Sequence, residues 1–130
     1  MTIPNKDEQV LQHIVRYCNQ VELTILKLKI DKSAFEKNFL FQNAISMPIL
    51  QVGELVKKLS DDFRQENSAV PWRAISGMRD HLAHNYIEMD INVAWETVCD
   101  DIPLLKKYCE QILTKRGVPI PEPEELDMTP

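Results

Sequence analysis

Residues 5–28 read NKDEQVLQHIVRYCNQVELTILKL, and the spacing of their apolar side chains decides the fold class. Leu11, Ile14, Cys18, Val21, Ile25 and Leu28 recur at intervals of three and four residues. That is the period of one face of an α-helix, and no alternating β-branched run competes with it. Asn5, with Glu8 three residues on, has the form of a capping box, in which each side chain satisfies a free backbone N–H of the first turn. A long amphipathic helix of this kind must bury its stripe against other helices.

The rest of the chain supplies them. Ser33-Ala34-Phe35-Glu36 has the form of a second capping box, followed by the stripe Phe41, Ile45, Pro48, Val52, Leu55 and Leu59. Pro48 removes one backbone hydrogen bond and predicts a kink. Asp61 to Val70 is polar and reads as a connection. Pro71 suits the first turn of a third helix with the stripe Trp72, Ile75, Arg79, Leu82 and Tyr86. A fourth segment starts near Asp90 and carries Ile91, Trp95, Val98, Ile102, Leu105, Cys109 and Ile112, with a break or kink expected at Pro103. Gly117 and Pro119 stop it. The expected architecture is all-α, a four- to five-helix up-down bundle over residues 1–117. Residues 118–130, rich in proline and acid, read as a disordered tail.

Composition narrows the function classes. A chain of 130 residues fits one domain and buries a core without covalent staples. Cys18, Cys99 and Cys109 are odd in number and lack a C-x-x-C pair, which argues against a disulfide framework or a zinc knuckle and for a reducing cytoplasm. No apolar run approaches the roughly 20 residues of a membrane span, and the first residues lack the pattern of a signal peptide. The net charge is -5, with 15 basic and 20 acidic residues. Four of the acids, Glu122, Glu124, Glu125 and Asp127, lie in the tail, so residues 1–117 are almost neutral. A body of that charge is no broad nucleic-acid surface, although a few Arg side chains suffice for a local phosphodiester site.

The third helix carries the chemistry. Arg79 stands in an apolar stripe, where Arg is seldom found unless it is paired. It either meets an acid from another helix or faces a site for an anion. Tyr86 lies seven residues on, about 10 Å along the same face. His84 is five residues from Arg79, about 140° around the helix. Asp80, four residues before His84, is spaced to hold its imidazole. His81 and His84 lie at metal-ligand spacing with no third strong ligand nearby in sequence, so no metal or other cofactor is expected.

Arg79-Asp80-His81-Leu82-Ala83-His84-Asn85-Tyr86 fits the pattern R-x-x-x-x-H-x-Y. It resembles the active-site motif of the HEPN family, specifically its HepT-like toxin ribonucleases. Ser46-Met47-Pro48 with Gly53-Glu54, the run Pro71-Trp72-Arg73-Ala74-Ile75-Ser76-Gly77-Met78, and Asp101-Ile102-Pro103 extend the resemblance over roughly residues 7–115. The first variable position is often Asn in such sequences and is Asp80 here. The resemblance implies a homodimer with Arg79 and His84 of two protomers at one cleft, cutting an RNA such as tRNA or mRNA. It implies the toxin of a type VII toxin–antitoxin pair, whose partner is an MntA-like nucleotidyltransferase that transfers AMP to Tyr86. On this reading Arg79 and His84 are catalytic, Asp80 and Tyr86 supporting. The alternative is a non-catalytic helical dimer or binding module that partners a nucleotidyltransferase.

Overall fold

The computed structural model describes residues 3–77 and 91–124. The elements are α1 (Lys6–Leu28), α2 (Lys32–Lys37), α3 (Phe39–Lys58), α4 (Asp61–Glu66), a helical stretch at residues 72–77, α5 (Ile91–Glu96), a π-helical turn (Thr97–Asp101) and α6 (Ile102–Lys115). No strand occurs among the described residues, as the apolar spacing predicts. No described helix is long and apolar enough to cross a membrane.

Helix α1 is the axis of the bundle, packing most extensively on α3 and next on α6. Its capping box forms as expected: Glu8 N–H donates to Asn5 Oδ1 at 2.8 Å and Asn5 N–H to Glu8 Oε1 at 2.9 Å. Ser60, beyond the end of α3, donates its N–H and hydroxyl to the two carboxylate oxygens of Asp7 at 2.8 and 2.7 Å. The start of α1 therefore meets the end of α3, and the two run antiparallel. Glu22 pairs with Lys106 at 2.8 Å and Glu8 with Arg116 at 3.3 Å, so α6 is antiparallel to α1 as well.

The core explains why the bundle holds. Leu11, Ile14, Val15, Cys18 and Val21 of α1, Ile45, Val52 and Val56 of α3, and Ile102, Cys109 and Leu113 of α6 are fully buried. Each large aliphatic side chain contributes about 1.5–3 kcal/mol by leaving water. A largely exposed ion pair such as Arg64–Asp61 contributes at most about 1 kcal/mol. Apolar burial thus decides the packing, and the ion pairs set direction.

Between residues 31 and 70 the structure departs from the sequence reading in three places. The segment after residue 31 is two helices, because Asn38 is extended and its side chain accepts from Leu40 N–H to start α3. The cap of α2 is Asp31, accepting from Ala34 N–H at 2.8 Å, rather than Ser33 with Glu36. The break turns Phe35 into the core, where it is 1% exposed. The polar stretch after Leu59 contains α4, capped by Ser60 Oγ and anchored by buried Phe63.

Neither proline interrupts its helix. Helix α3 continues from Phe39 to Lys58 with Pro48 buried inside it. At Pro103 the helix does not break. The preceding turn widens to π geometry, with Ile102 N–H donating to Thr97 O, and Glu96, Asp101 and Ile102 all keep right-handed helical torsions. Proline cannot donate and crowds the carbonyl four residues back, and a wider turn relieves both constraints.

The chain leaves α6 through Gly117 at φ 70°, a left-handed conformation that favours glycine. Gly117 N–H donates to Thr114 O and Val118 N–H to Leu113 O, the paired bonds of a Schellman motif. Residues 118–124 then return along α1. Val118 and Ile120 pack on the core, and Gln12 Nε2 donates to Pro119 O at 2.9 Å. This part of the expected tail is therefore seated. Composition suggested otherwise because the segment is rich in proline and acid and holds few large apolar residues, yet two of them, Val118 and Ile120, reach the core.

Candidate active site

Arg79, Asp80, His81, His84 and Tyr86 lie outside the described residues, as do Leu82 and the expected cap Asp90. The structure defines the elements that lead into and out of that stretch, and both are fixed to the core.

On the entering side, Trp72 is 5% exposed and stacks obliquely on Phe63 with ring centroids 6.0 Å apart. Its indole Nε1 donates to Asn67 O at 3.1 Å. Val70 and Ile75 are buried with it, and Pro71 O accepts from Ile75 N–H in the first turn. Arg116 lies over the other partner ring, Phe63, at 5.1 Å and also reaches Glu8 and Glu66. Gly77 is exposed, and among the described residues a Cβ there would meet nothing within 4 Å.

On the leaving side, Ala94 is buried, and the Trp95 ring lies 5.3 Å from that of Phe35. Both tryptophans are thus anchors, one at each border of residues 78–90. Between the entering side and the start of α6, a cleft of about 90 Å³ runs from Pro71, Ala74 and Ile75 to Asp101, Leu105 and Tyr108. Asp101 and Tyr108 are the polar groups of that cleft, and sequence spacing had not singled out either. The signal was available only in part: Asp101 belongs to the Asp101-Ile102-Pro103 run, but its facing Pro71 depends on the packing of α6.

The two buried cysteines offer no nucleophile. Burial, with a smaller contribution from Glu22, pushes the Cys18 thiol up to about 12. Burial pushes Cys109 well above the ordinary thiol value. Cys99 is exposed, yet desolvation and the neighbouring Asp100 still raise it. A raised thiol is protonated and unreactive near neutrality. His13 is exposed on α1, with its Nδ1 3.2 Å from Arg16 Nη1, and it has the surface position expected of it.

An all-helical bundle that anchors an R-x-x-x-x-H-x-Y segment at both borders is the class of protein defined by fold and sequence together. The family model described as Ribonuclease HepT-like matches residues 9–112, and the chain belongs to this family of ribonucleases. A protein of Caldanaerobacter subterraneus subsp. tengcongensis named "Putative RNase" is 38% identical over 106 residues, covering 81% of this chain and 92% of that one. One of Thermococcus cleftensis named "Probable ribonuclease HepT" is 38% identical over 71 residues, covering 55% of this chain and 64% of its own. In Methanocaldococcus jannaschii a "Gamma-glutamylcyclotransferase and putative RNase" is 34% identical over 109 residues, 83% of this chain and 48% of that protein. No solved structure matches significantly.

Proposed function

We propose that this chain is the toxin of a type VII toxin–antitoxin pair, a metal-independent endoribonuclease acting in the cytoplasm. The observation that carries the reading is the match to the HepT-like ribonuclease family over residues 9–112, a span that includes the whole of Arg79–Tyr86 with Arg, His and Tyr intact. RNA follows as substrate from the family; tRNA and mRNA are the candidates.

RNA cleavage without a metal needs a base for the 2′-hydroxyl proton, an acid for the leaving 5′-oxygen and a cation for the phosphate. Imidazole titrates near neutrality and serves proton transfer, which assigns His84. Guanidinium keeps its charge and offers a planar fork of donors to phosphate oxygens, which assigns Arg79. The 2′-oxygen attacks phosphorus, its proton passes to an imidazole, and the 5′-oxygen leaves with a proton supplied in return. One imidazole is poorly placed for both transfers in one step. A C2 homodimer brings two copies of Arg79 and His84 to one cleft and resolves this. Asp80 orients His84. Adenylylation of Tyr86 by an MntA-like nucleotidyltransferase adds bulk and negative charge where RNA phosphate must bind, and so neutralises the toxin. Residues 1–117 are the helical domain, with residues 118–130 as its C-terminal extension.

The test is growth after induced expression of wild type, Arg79→Ala and His84→Ala, without the neighbouring gene. Toxicity lost in both variants, with helical circular dichroism retained, is the expected result. A harmless wild type, or two variants as toxic as wild type, refutes the assignment. Sedimentation of the purified chain as a monomer at micromolar concentration refutes the composite site alone.

A further inference from the structure

Helix α1 carries two carboxamide side chains, Gln12 and Asn19, seven residues apart and therefore on nearly the same face. Both are turned to the backbone of the returning C-terminal segment. Gln12 Nε2 donates to Pro119 O at 2.9 Å and Asn19 Nδ2 to Pro121 O at 3.4 Å. That segment reads Val118-Pro119-Ile120-Pro121-Glu122-Pro123-Glu124, with proline at every second position. Proline has a carbonyl but no N–H, so it presents acceptors without donors of its own that need partners.

Asn19 is unusual. It is 4% exposed, and its Oδ1 is the one buried side-chain nitrogen or oxygen without a partner among the described residues. With the segment seated, Asn19 meets its C=O through Nδ2, while Oδ1 beside it takes no N–H from the segment. Beside it, Arg16, Leu23 and Thr24 of α1 and Glu122 and Glu124 of the segment border a cavity of about 210 Å³. Val118 and Ile120 supply the apolar half of the contact.

We infer that this face of α1 is a peptide-binding groove for an extended, acidic, proline-alternating segment, and that its occupant is the chain's own residues 118–124. The carboxamides read the backbone, Val118 and Ile120 fill the apolar positions, and the prolines restrict the free segment to conformations close to the bound one. Pre-ordering of this kind lowers the entropy lost on binding. The strap is a ligand attached by Gly117, and the tether holds it at an effective concentration in the millimolar range.

Nuclear magnetic resonance on the full-length chain tests this. In wild type, the backbone amides of residues 118, 120 and 122 have order parameters close to those of the helices, about 0.85. In Gln12→Ala/Asn19→Ala they fall below about 0.6, while the amides of α1 and α6 stay ordered. Ile120→Asp evicts the strap by placing a charge in its apolar position. It shifts the Asn19 carboxamide resonances, and a synthetic peptide of residues 117–124 reverses that shift saturably at millimolar concentration. A strap that is flexible in wild type, that stays ordered in the double variant, or whose eviction leaves the Asn19 carboxamide unmoved or unresponsive to the peptide overturns the proposal. If the double variant loses its helical dichroism, Ile120→Asp with the peptide decides alone.

Discussion

Trp72 is the perturbation that best tests how the segment carrying Arg79 is held. The side chain is 5% exposed, its ring centroid lies 6.0 Å from that of Phe63, and its Nε1 donates to Asn67 O at 3.1 Å. Truncating a buried tryptophan to alanine costs about 3–5 kcal/mol through lost transfer energy and an unfilled cavity. The hydrogen bond accounts for about 1 kcal/mol of this, and the aromatic pairing for another 0.5–1.5 kcal/mol or so. Trp72→Phe keeps most of the ring contact and is expected to cost about 1–2 kcal/mol; Trp72→Ala should show the full loss. Domains are stable by only about 5–15 kcal/mol, so the alanine variant removes a large fraction. Urea unfolding followed by circular dichroism is the assay. With a slope of about 1–3 kcal/mol per molar, the midpoint should fall by roughly 2 M for alanine and by less than about 1 M for phenylalanine. A Trp72→Ala midpoint within about 0.3 M of wild type would show that the helix entering residues 78–90 does not depend on this anchor.

Two further outcomes are expected. The native state holds the Cys18 proton up to about pH 12, whereas an unfolded thiol releases it near 9.0, so stability falls as pH rises above 9.0. The slope from this thiol is up to about 1.4 kcal/mol per pH unit. Urea midpoints measured below and above pH 9.0 should therefore fall more steeply for wild type than for Cys18→Ala, and parallel lines would sink the argument. Tyr86→Phe should remain toxic and should no longer be neutralised when a neighbouring nucleotidyltransferase is co-expressed. Full rescue of growth in that experiment would place control at another residue.

The parts of the fold legible in the sequence were those governed by local chemistry and long periodic stripes. The box of Asn5 and Glu8, the stripe of α1 and the stop at Gly117 were readable because each depends on residues within a few positions of one another. Phe35 and Phe63 show what escaped. Each is a lone aromatic in a short polar segment, and its burial depends on partners far along the chain, Trp95 for the first and Trp72 for the second. Periodicity cannot reveal a helix of six residues with one buried side chain. The same holds for residues 118–124, whose seat on α1 exists only after α6 has folded against it. The R-x-x-x-x-H-x-Y pattern was readable because Arg79, His84 and Tyr86 fall within one short run of sequence, which lies outside the described residues. The flanking anchors Trp72 and Trp95 were legible as well, whereas the cleft residues Asp101 and Tyr108 needed the packing of α6 on residues 71–75.

The π-helical turn at Thr97–Asp101 has a consequence for how relatives of this chain align. Buried positions through it and on either side, Ala94, Val98, Ile102, Leu105, Cys109 and Leu113, are spaced mostly by four, a longer average than the α-helical period. The wider turn takes up the surplus, so both halves keep the same side toward the core. Here the helix accommodates one residue more than a regular rod of equal length. A relative lacking one residue between positions 97 and 101 would reach the same packing with ordinary turns, and a single-residue gap at this place is a change of pitch rather than a change of fold.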